Sequence, residues 1–319
     1  MLTPFAYSMD KEKMSGFNDD VHFQVNNRHK VNVQKYFDFA VQNQPDFIVS
    51  PCEQVTFTSG KQKRKRSQKA ALKNFINFQK IVKQEDKNQM LLMPILLGDK
   101  DGLDNYEMRQ IQQRFIDEDE DKSLYYQVQP AAYSEMKQFF NTMPKEKIRA
   151  HHGMGTPVDV LNGIISGIDL FESDYPLTMA ERGIAILIED VKIQRKEESQ
   201  QGEDRDDYLF LEMSKMMQKK DQRTLVLSKE ENKTSEEKLV KECECYTCKN
   251  YNRGYLYHLL EVKEMNANIL IAIHNVHQYH RMFENIRENF DDLEGYFKEY
   301  VKVNCVDIEE SQLVSNENA

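Results

Sequence analysis

No window of the 319-residue chain approaches eighteen uncharged apolar residues, so no segment is expected to cross a bilayer as a helix. The opening MLTPFAYSMDKEK lacks a basic stretch followed by an apolar core, so no secretory signal is read there and an intracellular location is the expectation. No internal repeat is found. The cysteines number five and are spread unevenly, which does not make a disulfide framework. In a reducing compartment, clustered thiols are metal ligands more often than cross-links. Positive charge is in deficit, with 43 Lys and Arg against 53 Asp and Glu and a net charge of −10. That excludes a uniformly basic nucleic-acid grip and leaves only a local basic stripe for such a role.

What the chain does have is a globular composition, 39% hydrophobic and 30% charged, and enough length for one large α/β domain or two smaller ones. Residues 31–50 carry Val33, Tyr36, Phe37 and Ala40 three and four apart, which predicts a helix followed by a short strand from Asp46 to Val49. The stretch GKQKRKRSQKAALKNFINFQKIVKQ predicts a basic start running into an amphipathic helix with Ala71, Leu72, Phe75, Phe78 and Ile81 on one side. MLLMPILLG then reads as a buried strand. The alternation continues through SLYYQVQP, KIRAHHGMG, PVDVLNGIISG, IDLFESD and MAERGIAILIED. Alternating helices and strands of this length predict a parallel sheet, open or closed into a barrel.

From about Lys192 to Lys241 the rhythm gives way to a highly charged excursion with one or two short elements. Beyond it the sequence predicts a helix from Arg253 to Met265, an apolar strand NILIAI, and one long helix from Gln278 to Val303. That helix sets Met282, Phe283, Ile286, Phe290, Leu293 and Phe297 on one side, and the tail is expected to fray.

Between the excursion and these elements stands CECYTCKNYNRGYLYHLL. Cys243, Cys245 and Cys248 are spaced so that one tight loop can turn three sulfurs toward a point, as a tetrahedral ion requires. The fourth ligand is open. His258 lies in the predicted helix, and His274 ends the predicted strand, where a helix running out and a strand running back would return it to the cluster. His277 and His280 are weaker candidates. Three thiolates and an imidazole close the coordination sphere, which makes such an ion structural rather than catalytic.

CECYTCKNYNRGYLYHLL followed by IAIHN resembles the zinc segment of the tRNA-guanine transglycosylases, a CxCxxC pattern, an Arg-bearing helix and a distant His-Asn pair. The resemblance implies one structural Zn²⁺ held by Cys243, Cys245, Cys248 and His274. A second block, GTPVDVLNGIISGIDLFESDYPLTMAERGIAI, resembles the family's GxPxDLLxxVxxGVDMFDCVxPTRxARxG. The likeness covers roughly residues 30–300, poorly over 192–241. It implies an α/β fold, a (β/α)8 TIM-type barrel with an appended zinc-binding subdomain. The expected divisions are a barrel portion at 1–191, a charged insertion at 192–241, the zinc-binding subdomain and closing helix at 242–303, and a tail at 304–319. Nothing in residues 1–30 matches the family's first strands and their DSGG-like motif, so the expectation is either a shortened chain whose barrel lacks them or a barrel closed unusually.

The departures from the pattern bear on activity. The family's nucleophilic Asp corresponds to Glu172 of LFES, and an added methylene shifts that carboxylate by about 1 Å, a misplacement that can cost roughly 10²-fold. The Arg of the family's PTR is absent, since Leu177 and Thr178 follow Pro176. The base-reading Asp corresponds to Cys52, and Gln129, Pro130 and Ala131 replace the glycine pair against which a base slides. Together these read as a dismantled pocket with no catalytic residue. LFES followed by ERG instead resembles the family's eukaryotic accessory branch. That implies a non-catalytic, cytoplasmic subunit paired with a catalytic queuine tRNA-ribosyltransferase in a heterodimer. The pair would exchange guanine for queuine at the wobble position of tRNAs with GU(N) anticodons. The branch also implies peripheral association with the mitochondrial outer membrane. The alternative is an active transglycosylase using Glu172 as nucleophile; a third reading is a zinc-stabilised barrel with another binding role.

Three further features complete the sequence picture. The run Lys61, Lys63, Arg64, Lys65 and Arg66 is either a loop that meets tRNA phosphates or a solvated charge run. The acidic run Asp117 to Asp121 reads as a solvated loop. His151 and His152 stand at a strand end, where barrel sites form.

Overall fold

The architecture was obtained as a computed structural model, which describes residues 33–50, 148–152, 155–193 and 220–307 continuously. Shorter described stretches fall at 23–25, 29–31, 73–77, 90–95 and 124–127, with a few isolated positions between them. The chain divides into two compact units, Met1–Met154 with Ser166–Glu172, and Gly155–Ile165 with Ser173–Ala319.

The first unit opens with an antiparallel pair, β1 (Phe23–Val25) and β2 (His29–Val31). Helix α1 (Val33–Asn43) buries Tyr36, Phe37 and Ala40 at the predicted three- and four-residue spacing. It ends at Gln44 in the left-handed region, φ 46°. Tyr36 is tied beyond the helix by its hydroxyl, which donates to the Val49 carbonyl at 2.9 Å. A parallel sheet follows in the order β3 (Phe47–Val49), β4 (Met90–Ile95), β5 (Leu124–Gln127), β6 (Arg149–His152) and β7 (Leu170–Glu172). Each strand pairs with the next in the chain, so the order never reverses, as it would in a doubly wound sheet. The entry to β7 is pinned to β6 by the Arg149 N–H, which donates to Asp169 Oδ2 at 2.8 Å.

The second unit begins with α2 (Pro157–Ile165), started by a reciprocal cap. The Thr156 N–H donates to Asp159 Oδ2 at 2.9 Å and the Asp159 N–H to Thr156 Oγ1 at 3.1 Å. Helix α3 (Tyr175–Glu181) leads through Gly183, whose φ of 70° suits a residue without a Cβ, into β8 (Ile184–Ile186). Strand β8 pairs antiparallel with β10 (Thr224–Val226), and β9 (Lys220–Gln222) with β11 (Cys305–Asp307). Among the described residues four helices follow: α4 (Tyr246–Asn250), α5 (Arg253–Glu261), α6 (Met265–Glu288) and α7 (Leu293–Asn304).

Two expectations are corrected here. NILIAI is not a strand but the first turns of α6. Its buried residues, Ala267, Leu270, Ile271, His274, Asn275 and Gln278, recur at helical spacing, while Ile269 and Ile273 point outward. The predicted single helix from Gln278 to Val303 is two. Helix α6 ends at Asn289, a short 3₁₀ turn spans Phe290–Asp292, and Asp292 caps α7 by accepting from the Gly295 N–H at 2.9 Å. Phe290, assigned to the packed side, is 65% exposed at that break.

Candidate metal centre

Cys243, Cys245, Cys248 and His274 are all buried, and their ligand atoms lie within 4.8 Å of one another. Among the described residues they form the one cluster of His, Cys, Asp and Glu with this proximity. The three sulfurs stand 3.6, 3.5 and 3.4 Å from His274 Nδ1. A tetrahedral ion with metal–sulfur bonds of about 2.3 Å and a metal–nitrogen bond of about 2.05 Å has a sulfur–nitrogen edge of about 3.6 Å. The three sulfur–nitrogen distances therefore match the edges of such a tetrahedron, and the donor set fits a metal ion.

The cysteine loop is shaped by its own backbone. The Cys243 N–H closes a turn onto the Val240 carbonyl at 3.2 Å, and Cys245 caps α4, its sulfur accepting from the Cys248 N–H at 3.3 Å. That helix is fastened to α6 by Thr247, whose buried hydroxyl donates to the Leu270 carbonyl at 2.6 Å. Ahead of the loop, Arg253 holds the approaching chain through the carbonyls of Lys238 and Leu239 and the Glu237 carboxylate. Gly254 follows because the chain passes so close: a Cβ there would stand 3.0 Å from the Ser235 carbonyl oxygen.

The buried thiols and the imidazole shift one another's titration. Hydrogen bonds from Cys243 and then Cys248 hold the Cys245 thiol far below its ordinary range, while Cys243, bonded to Cys245 and Cys248, is pushed up. Burial pushes His274 down, but its hydrogen bonds with Cys245 and Cys248 outweigh this and raise it to about 9.

The ring of His274 is fixed from behind, its Nε2–H meeting the Ile186 carbonyl at 3.0 Å, which commits Nδ1 to the sulfurs. Its neighbours continue the same attachment. Asn275 accepts from the Ile186 N–H at 2.9 Å and donates to the carbonyls of Pro176 and Ile184, both at 3.0 Å. Gln278 accepts from the Ile188 N–H at 3.1 Å, and Asn285 from the Val191 N–H at 3.1 Å. On the other helix, Asn304 accepts from the Glu189 N–H at 2.7 Å and donates back to the Glu189 carbonyl at 3.0 Å. Side-chain amides thus satisfy the backbone of residues 184–191 where a sheet partner would. Of this set, only Asn275 was singled out in the sequence; the remaining signal was Asn and Gln recurring on the buried face of one helix.

The other sequence candidates fall elsewhere. His258 is exposed on α5, His277 is half-buried and His280 exposed beside Glu284, so none joins the cluster. Glu172 ends β7, half-buried, and Leu177 is half-exposed on α3 with Thr178 half-buried after it. His151 is buried in β6, and His152 shares that strand. Arg66 is exposed. Cys52, Gln129, Pro130, Ala131, Lys61, Lys63, Arg64, Lys65 and the acidic run 117–121 lie outside the described residues.

The outer surface of this unit carries an apolar stripe. Met265, Ile269, Ile273 and Val276, exposed by 75, 48, 39 and 49%, repeat at intervals of four, four and three along α6 and form a stripe opposite its buried face. Nearby in sequence, Tyr251 and Tyr255 stack with ring centres 4.9 Å apart, Tyr246 meets Tyr251 edge-on, and Tyr246 and Tyr255 are exposed.

Against known proteins, the family profile described as queuine tRNA-ribosyltransferase matches residues 5–309. The chain is 33% identical over 161 residues to a queuine tRNA-ribosyltransferase accessory subunit 2 of Xenopus tropicalis, covering 47% of this chain and 38% of that protein. It is 25% identical over 293 residues to the accessory subunit 2 of Gallus gallus, covering 83% of this chain and 66% of that one. A queuine tRNA-ribosyltransferase of Hydrogenovibrio crunogenus is 29% identical over 168 residues, 52% of this chain and 36% of that protein. The matches thus span between about a third and two thirds of these relatives' lengths.

Proposed function

We propose, from the premise that the chain belongs to the queuine tRNA-ribosyltransferase family, that it is a non-catalytic subunit of a tRNA base-exchange enzyme. It pairs with a catalytic subunit of the same family, and the pair replaces guanine by queuine at the wobble position of tRNA. The relatives named accessory subunit support the non-catalytic role. So does the Glu at position 172, where the family's reacting acid is the shorter Asp.

The observation that carries the pairing is helix α6, which is apolar on two opposite faces. One face wraps the cysteine and histidine cluster; the other bears Met265, Ile269, Ile273 and Val276 against solvent. Depletion of charge in a contiguous apolar stripe suits the core of a protein interface. The occupant is the catalytic subunit. The ion is Zn²⁺, which three thiolates and an imidazole in tetrahedral array suit best, and its closed sphere makes it structural. Strands β3–β7 are an arc of a (β/α)8 barrel, a reading that their unreversed order supports. The basic run through Arg66 contributes to tRNA phosphate binding.

Exchange of labelled guanine into tRNA tests this, using the full chain alone, the catalytic partner alone, and the mixture. Activity is expected in the mixture and none from the chain alone, with co-elution of the two proteins. Exchange by the chain alone would establish Glu172 as a nucleophile instead. A mixture no better than the partner alone, without a complex, would remove the pairing altogether.

A further inference from the structure

Gln278 is 3% exposed on α6, four residues beyond His274, and it touches both the metal cluster and the strand behind it. Its Oε1 accepts from the Ile188 N–H at 3.1 Å, and its Nε2 donates to Cys243 Sγ at 3.2 Å. The two ends cannot be exchanged, because a backbone N–H can be met only by the amide oxygen; the NH₂ must therefore face the sulfur. A sulfur that accepts such a bond is favoured as thiolate, the form in which a thiol ligates. His274 makes the parallel link one turn earlier, from its ring to the Ile186 carbonyl. Asn285 holds Val191 in the same manner as Gln278 holds Ile188, but none of its hydrogen bonds reaches a ligand.

We infer that Gln278 is a positioning residue of the metal centre, one amide joining Cys243 to Ile188, so that metal loading and the seating of residues 186–188 on α6 are a single coupled event. The inference rests on reading the four-residue cluster as a metal site. Each end of the amide serves the other: an ion that draws Cys243 into place fixes the side chain, and a fixed side chain holds the Ile188 N–H. Outer partners of this kind commonly contribute 10- to 100-fold in metal affinity.

The test uses the full chain with zinc, measured by chelator competition and by residue-resolved hydrogen exchange with and without metal. Gln278→Glu keeps an oxygen for the Ile188 N–H but sets a carboxylate oxygen against the Cys243 sulfur. It is expected to weaken zinc 10- to 100-fold and to abolish the metal-dependent protection of Ile188. Gln278→Leu removes both bonds and should weaken zinc at least as much. Asn285→Ala frees Val191 yet should leave zinc affinity unchanged within about threefold. Cobalt substitution adds a readout of the ligand field, expected to shift in Gln278→Glu and not in Asn285→Ala. The inference fails if Gln278→Glu binds zinc like the native chain. It also fails if Asn285→Ala weakens zinc equally, since general loosening would then account for both. If the native chain binds no zinc, the metal reading itself is overturned, a distinguishable result.

Discussion

The two units of this chain keep different parts of the family pattern. In the second unit the three cysteines and the histidine that could hold a metal lie together, the His274–Asn275 pair is held by buried hydrogen bonds, and Arg253 is bonded nearer the surface. In the first unit β7 ends at Glu172, half-buried, the position that the sequence resemblance sets against the family's Asp. A clamp needs all four ligands at once and loses most of its grip with any one. A reacting carboxylate can be altered without disturbing the strand that bears it.

That contrast can be broken at its strongest point first. Cys245→Ser removes the sulfur that caps α4 and faces Nδ1, and should release the metal and unfold the second unit. Metal contributes roughly 10–16 kcal/mol of apparent binding free energy to small zinc folds. Elemental analysis showing stoichiometric metal in a well-folded variant would refute the ligand set. Asn275→Ala is next in size. It strands the Ile186 N–H and two carbonyls in a buried place, at about 1–3 kcal/mol for each group left unsatisfied, with some relaxation, so thermal unfolding should shift down by a net of about 3 kcal/mol. Ile273→Glu acts on the outer stripe alone. It should weaken association with the catalytic subunit by about 2 kcal/mol, roughly 30-fold, in titration calorimetry while leaving melting temperature and metal content unchanged. Equal affinity would mean that the stripe is not the interface. Glu172→Gln should have the smallest effect, with guanine exchange by the mixed subunits unchanged within about threefold. A loss of 10²-fold or more would return this carboxylate to the reaction.

The metal ligands were legible because their chemistry demands a spacing, and the fourth was chosen by family likeness rather than by residue spacing. The route to His274 was misread, and the reason lies in Ile269 to Ile273. Five consecutive apolar residues, three of them β-branched, carry the composition of a buried strand. They are consecutive because α6 serves two apolar surfaces, so the gap that normally reveals a helix is filled. The break at Asn289 was hidden for a related reason, since Phe290 continues the apolar spacing although it is exposed. The early helix and strands of the first unit were legible from clean spacing at Val33, Tyr36, Phe37 and Ala40. Gln278, Asn285 and Asn304 were passed over because an amide looks like surface in a sequence; only the backbone it completes makes it core.

The ladder of side chains that holds residues 184–191 also orders events in time. Cys243 and His274 are 31 residues apart, whereas Asn275 and Ile186 are separated by 89. Closing the longer span costs about 1 kcal/mol more in chain entropy, so the cysteine loop and α6 can meet before the distant strand arrives. In a chain made from its N-terminus, residues 184–191 emerge long before the helix that will satisfy them. Strand β10 meets one edge of that segment, and the Leu187 N–H meets the Arg223 carbonyl, but until α6 is made the N–H groups of Ile186, Ile188 and Val191 lack their amide partners. The cysteine and histidine cluster is therefore made after that strand, and its closure sets α6 where the strand's second edge can dock.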